Sequence, residues 1–136
     1  MTIHVWSEQI AKAPVRLVKG PRLDLVQEAE RLALTSLDKP LNISILCHML
    51  AVSERTLRKA FRIAHGMSPC RHLRMVRLLR VRQALMSSSH RRVTTVTEIA
   101  THFGFAELGR FSVEYRRVFG ESPSVTLRLA LEHARQ

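Results

Sequence analysis

Residues 53–69 read SERTLRKAFRIAHGMSP, and 54 positions later residues 107–123 read ELGRFSVEYRRVFGESP. At that offset Arg62 meets Arg116, Gly66 meets Gly120, Ser68-Pro69 meets Ser122-Pro123, and Leu57 and Phe61 meet Phe111 and Tyr115. The register extends outward, with Ile45 on Ile99, His48 on His102, Leu73 on Leu127 and Arg74 on Arg128. One offset that preserves glycine, Ser-Pro and the apolar frame together marks two copies of one unit.

Each copy carries the punctuation of helix, tight turn and second helix. In the first, Asn42 is placed to cap a helix running to about Leu50, Ala51 and Val52 form the turn, and Ser53 caps a helix that ends at Gly66. In the second, Thr95-Val96-Thr97-Glu98 reads as a capping box, Gly104 closes its helix, and the next helix spans about Glu107 to Gly120. After each copy Ser-Pro starts a further helix, with proline at the first helical position, where its missing N–H costs nothing. The pattern is a helix-turn-helix, twice.

Working outward, the segment Pro69 to Met86 has room for about five helical turns. Its apolar residues surround much of the circumference, so it should pack on more than one side, as a strut between two lobes does. The expected organisation is therefore an amino-terminal extension over residues 1–20, a first helix-turn-helix subdomain over 21–68, a connecting helix over 69–86, a linker over 87–94, and a second helix-turn-helix subdomain over 95–136. The fold class is all-α.

Charge separates the faces. The chain has 136 residues, with 22 Lys plus Arg against 11 Asp plus Glu, for a net charge of +11. Residues 55–97 contain no carboxylate but hold half of the basic residues. A field of one sign attracts polyanions, with nucleic acid the first candidate and an anionic membrane the second. Along the helix after Ser53, at about 100° per residue, Arg55, Arg58, Lys59 and Arg62 fall within an arc of roughly 100°, while Leu57, Ala60, Phe61 and Ala64 fall opposite. A cationic front with a packed back suits the major groove, where Arg and Lys donate to guanine O6 and N7 or to phosphate. The bland alternative is a basic surface helix with no partner.

The corresponding helix of the second copy is chemically different. Leu108, Phe111, Tyr115, Val118 and Phe119 share its buried arc, and Gly109, Arg110, Val113, Arg116 and Arg117 face outward. Arg110 is its clear base-reading donor, and Val113 is placed either to touch a thymine methyl or to be an ordinary exposed valine. Arg116 and Arg117, like Arg62 in the first copy and Arg91 and Arg92 in the Ser/Arg-rich linker, fit phosphate contacts. The expected base contacts are thus Arg55, Arg58, Lys59, Arg110 and Val113, with more sequence information read by the first lobe than by the second.

Other functions have little support. Cys47 and Cys70 form no Cys-x-x-Cys pair and read as buried or idle thiols in a reducing compartment. No basic-then-apolar leader opens the sequence, and no stretch approaches the roughly 20 apolar residues of a membrane span, so a cytoplasmic location is expected. There is no Gly-rich phosphate loop, no nucleophile triad, and too few acids near the basic region to hold catalytic magnesium. The seven histidines are dispersed without His-x-x-x-His or Cys/His spacing. No enzyme activity, metal or cofactor is expected. RNA-binding and recombinase-accessory modules share the basicity, but the few aromatics sit at core spacing rather than on a stacking platform.

The string Ile99-Ala100, Gly104-Phe105, Phe111, Tyr115-Arg116, Phe119-Gly120 and Ser122-Pro123 resembles the signature of AraC/XylS-type transcriptional regulators. The first copy agrees through Val52-Ser53, Leu57, Phe61, Gly66, Ser68-Pro69 and Arg77-Leu78, so the resemblance covers about Leu25 to Arg128. It implies about seven helices in two helix-turn-helix lobes joined by a central helix, reading successive major grooves of double-stranded DNA and regulating transcription, often by activation with RNA polymerase. The matching reader positions are Arg55, Arg58 and Lys59, then Leu108, Gly109, Arg110 and Val113. Three departures stand out: Cys47 where Ala is usual, His72 where Tyr is usual, and Thr126-Leu127 where Tyr-Arg is common. The first two are expected to be packing variants, and the third removes a cation. Leu108 and Gly109 are poor hydrogen-bonding groups at reading positions. Family members usually carry a sensing and dimerising domain as well. Residues 1–20 are too few for that domain, so the chain is expected to be a monomer and the carboxyl-terminal DNA-binding part of a longer regulator, with a free-standing regulator as the alternative.

Overall fold

A computed structural model describes residues 21–35, 41–90 and 94–134. These residues form seven α-helices: α1 Pro21–Thr35, α2 Ile43–Leu50, α3 Glu54–His65, α4 Pro69–Met86, α5 Val96–His102, α6 Leu108–Phe119 and α7 Pro123–Ala134. They fall into two compact units, one of residues 21–35 and 41–76, the other of residues 77–90 and 94–134. The division falls within α4, between Val76 and Arg77. The residues of the amino-terminal extension, and Arg91 and Arg92 of the linker, lie outside the described residues.

Local chemistry sets the helix limits. The Asn42 side chain accepts from the Ile45 N–H at 3.1 Å, and Ser53 Oγ accepts from the Thr56 N–H at 3.1 Å, satisfying donors that the first helical turn leaves open. Thr95 does the same for the Glu98 N–H at 3.1 Å, but the Glu98 carboxylate accepts from the Thr94 hydroxyl at 3.2 Å, so only half of the expected capping box is seen. Gly66 and Gly120 stop α3 and α6 at φ +70° and +78°, the left-handed conformation in which a side chain is strained. Ala51 adopts that conformation too, at φ +56°, and closes the three-residue turn between α2 and α3.

In the first unit, Val26, Ala29 and Ala33 of α1 join Leu46 and Cys47 of α2, Leu57, Ala60 and Phe61 of α3, and Leu73 of α4 in one core. The i, i+3, i+4 spacing of Leu57, Ala60 and Phe61 puts all three on one side of α3, and burying a side chain like Phe61 contributes about 1.5–3 kcal/mol. In the second unit, Phe105, Phe111, Tyr115 and Phe119 form a run of ring contacts with successive centroids 4.9, 5.8 and 4.6 Å apart. Each such tilted pair adds about 0.5–1.5 kcal/mol beyond its buried area.

The apolar belt of α4 leaves its arginines unequal. Arg77 is buried and has interaction partners, and Arg82 is half-buried with its guanidinium 4.8 Å from the Phe119 ring centre. Arg71 and Arg80 are exposed. No helix among the described residues is long and apolar enough to cross a membrane.

Candidate nucleic-acid interface

The cap at Ser53 and the buried row Leu57, Ala60 and Phe61 fix the rotation of α3 about its axis. Its opposite face then presents Arg55, Arg58, Lys59 and Arg62, all exposed. The one acid of this helix, Glu54, lies in the first turn, where the helix dipole favours it, and its carboxylate is 3.6 Å from the Arg58 guanidinium. The side chains of this pair are 58% and 42% exposed for Arg58 and Glu54. A pair so exposed is worth about 0–1 kcal/mol, so Arg58 stays available to an external anion.

The packed side of α3 holds a polar cluster. His65, its last residue, and His72 of α4 both set Nε2 against the same carboxylate oxygen, Oε1 of Glu30 on α1, at 3.2 and 3.1 Å. The imidazole rings stack with centroids 3.9 Å apart and planes 12° apart, and the Phe61 ring meets His72 edge-on at 5.6 Å. Burial raises the pKa of Glu30, but hydrogen bonds to His65 and His72 outweigh it and hold the carboxyl at about 2. His72 therefore does more than vary the packing: it ties α4 to α1.

On α6, Gly109, Arg110, Val113, Arg116 and Arg117 are exposed and Phe111 and Tyr115 are buried. Leu108, Val118 and Phe119, expected in the buried arc, are only half-buried because they flank the row that Phe111 and Tyr115 occupy. Arg110 donates from Nε to Glu114 at 3.2 Å while remaining 68% exposed. No side chain caps the α6 amino terminus, where Glu107 stands at the cap position. Behind α6 the Tyr115 hydroxyl donates to Thr126 Oγ1 at 2.8 Å, and that hydroxyl donates in turn to Glu121. Burial pushes the Tyr115 phenol pKa up.

The described residues expected to contact DNA thus lie on the outward faces of α3 and α6, each within its own unit. Cys47 is buried, which raises its thiol pKa, whereas Cys70 is exposed. The convergence of Glu30, His65 and His72 escaped the sequence reading. The histidines are separated by the Gly66 stop and the Ser68-Pro69 start, and no periodicity connects them to Glu30 on another helix.

The family described as "Helix-turn-helix domain" matches residues 46–129, which include α3 through α6 entire. A solved structure of a probable AraC family transcriptional regulator from Rhodopseudomonas palustris is 34% identical, with a TM-score of 0.65, covering 79% of this chain and 98% of that one. The chain belongs to the AraC family. An AraC-type DNA-binding domain-containing regulator from Chromobacterium violaceum superposes with a TM-score of 0.69 at 25% identity, over 79% of this chain and 92% of that one. Among curated relatives, the XylDLEGF operon transcriptional activator of Pseudomonas putida is 37% identical over 93 residues, 68% of this chain and 29% of the relative. A probable thc operon regulatory protein of Rhodococcus erythropolis is 37% identical over 90 residues, 66% of this chain and 27% of the relative. This AraC-type chain therefore spans less than a third of the length of these two curated relatives.

Proposed function

We propose that the chain is the DNA-binding part of a transcription regulator, reading double-stranded DNA by inserting α3 and α6 into successive major grooves. The observation that carries this reading is the face of α3, where four exposed cations stand opposite a fully packed row. In this reading Arg55, Arg58, Lys59, Arg110 and Val113 touch base edges, and Arg62, Arg91, Arg92, Arg116 and Arg117 contact the sugar-phosphate backbone. The protein works without enzymatic turnover in the cytoplasm. It binds as a monomer and raises transcription with RNA polymerase, in keeping with relatives named as activators.

Selection of bound sequences from a random duplex pool tests the proposal. Two enriched blocks within roughly two helical turns are expected, with affinity falling steeply as salt rises. A pool that stays random after repeated selection would remove sequence-specific reading. Stronger retention on structured RNA than on the selected duplex would redirect the basic face to RNA.

A further inference from the structure

Away from the basic faces, Glu30 of α1, His65 of α3 and His72 of α4 bring three potential ligand atoms within 4.8 Å of one another. We propose that this cluster is a binding site for one divalent transition-metal ion of the zinc class, held by a Glu30 carboxylate oxygen and the Nε2 atoms of His65 and His72, with water in a fourth position.

The spacing supports it. Zinc–ligand bonds of about 2.0–2.1 Å in tetrahedral geometry separate neighbouring ligands by roughly 3.3 Å. The Glu30 oxygen already stands 3.2 Å from one Nε2 and 3.1 Å from the other. Two imidazoles with one carboxylate suit zinc, cobalt or nickel, whereas calcium and magnesium require more oxygen ligands. Because the rings lie nearly parallel, their Nε2 atoms must converge by a rotation about χ2, which is a soft torsion in histidine. Each Nε2 would release its proton to solvent and offer its lone pair to the ion, and the neutral rings would carry their hydrogen on Nδ1.

Access and consequence follow from burial. The His72 side chain is 1% exposed, while those of His65 and Glu30 are 12% and 18% exposed, so water and an ion enter from the His65 and Glu30 side. The ligands come from three helices and lie 35 and 42 residues apart relative to Glu30. A bound ion would clip the carboxyl end of α3 to α1 and α4.

The test uses the full chain, stripped with a chelator and titrated with zinc chloride or cobalt chloride alone. Expected are one ion per chain, a visible d–d absorption from four-coordinate cobalt, and a higher thermal midpoint. At free ion 100 times the dissociation constant, the folded-to-unfolded ratio rises about 100-fold. Glu30→Gln and His65→Gln should each lose both the absorption and the stabilisation. The His65 change sits at the partly exposed edge, and circular dichroism verifies its fold. An unchanged midpoint and no cobalt absorption in the parent chain would overturn the site. So would equal responses in parent and variants, which would put the ion elsewhere, or an equal stabilisation by magnesium.

Discussion

Phe61 and His72 of the first lobe occupy the same repeat positions as Tyr115 and Thr126 of the second, and the two pairs fill equivalent places with different chemistry. In the first lobe a bare phenyl ring packs edge-on to His72, whose polar bond reaches back 42 residues to Glu30. In the second, the Tyr115 hydroxyl passes its hydrogen bond to Thr126 and on to Glu121, all between the end of α6 and the start of α7. The apolar frame and the Gly and Ser-Pro punctuation are held in common. The interior polar bonds diverge, long-range in one lobe and local in the other. Only the shared features are needed to make a helix-turn-helix, so the rest is free to differ.

Acid gives the largest expected contrast. The unfolded Glu30 takes up a proton near its ordinary value of 4.5, while the folded carboxylate stays ionised down to about 2. Between those values the unfolded chain binds more protons, so stability present above pH 4.5 is lost as pH falls through that window, by about 3 kcal/mol at most. In chelator-treated protein, amide hydrogen exchange followed from pH 6 to pH 3 should show α1 and α3 opening before α6 and α7. Glu30→Gln should flatten the pH dependence of the first lobe. If α6 and α7 open first in the parent chain, the clamp is not the acid-sensitive element.

The outward faces differ as well. α3 starts at a side-chain cap and shows four cations, whereas α6 starts without one and shows Gly109 and Val113 among its arginines. Arg58→Ala or Lys59→Ala should cost about 1–3 kcal/mol of affinity at the selected site and relax base preference beneath the first lobe. Arg110→Ala should lose less, because its guanidinium is hydrogen-bonded at 3.2 Å to a less exposed carboxylate, Glu114, whereas Arg58 stands 3.6 Å from the more exposed Glu54. Binding isotherms on selected and scrambled duplexes separate these effects. Equal losses from Arg58→Ala on both duplexes would reduce that residue to a phosphate contact, and an equal loss of preference from Arg110→Ala would make the lobes symmetric readers.

A reciprocal exchange probes the interiors. Tyr115→Phe removes a buried donor and should cost about 1 kcal/mol. Phe61→Tyr places a hydroxyl against packed groups in the other lobe and should cost about 1–3 kcal/mol unless it finds a partner. Chemical denaturation of both variants measures this. A neutral Phe61→Tyr would mean that the histidine cluster accepts the hydroxyl, and that the two lobes are closer in chemistry than their sequences indicate.

What could be read in advance follows the range of the forces involved. Helix starts at Asn42, Ser53 and Thr95 and stops at Gly66 and Gly120 were legible because each cap is decided within four residues. The outward arcs of α3 and α6 were legible because helical periodicity is strict. The Glu54–Arg58 and Arg110–Glu114 pairs lie at i, i+4, a spacing that the sequence displays directly. The Glu30 cluster was not legible, because three helices must meet before its atoms become neighbours. Nor was the division among the α4 arginines, with Arg77 and Arg82 inward and Arg71 and Arg80 outward, since apolar residues around the whole helix leave no single face to assign.

The smallest expected effect bears on α6. A Cβ added at Gly109 would meet nothing within 4 Å, and the residue sits inside α6. Gly109→Ala should therefore raise stability by up to about 1 kcal/mol through helix propensity alone. If the glycine lets the α6 backbone lie close against DNA, the same methyl group should weaken binding to the selected duplex. Stability and affinity would then move in opposite directions, which loss of folding cannot produce. If stability rises and affinity holds, position 109 is not at the interface, and the second lobe must read through Arg110 and Val113 without a close backbone approach.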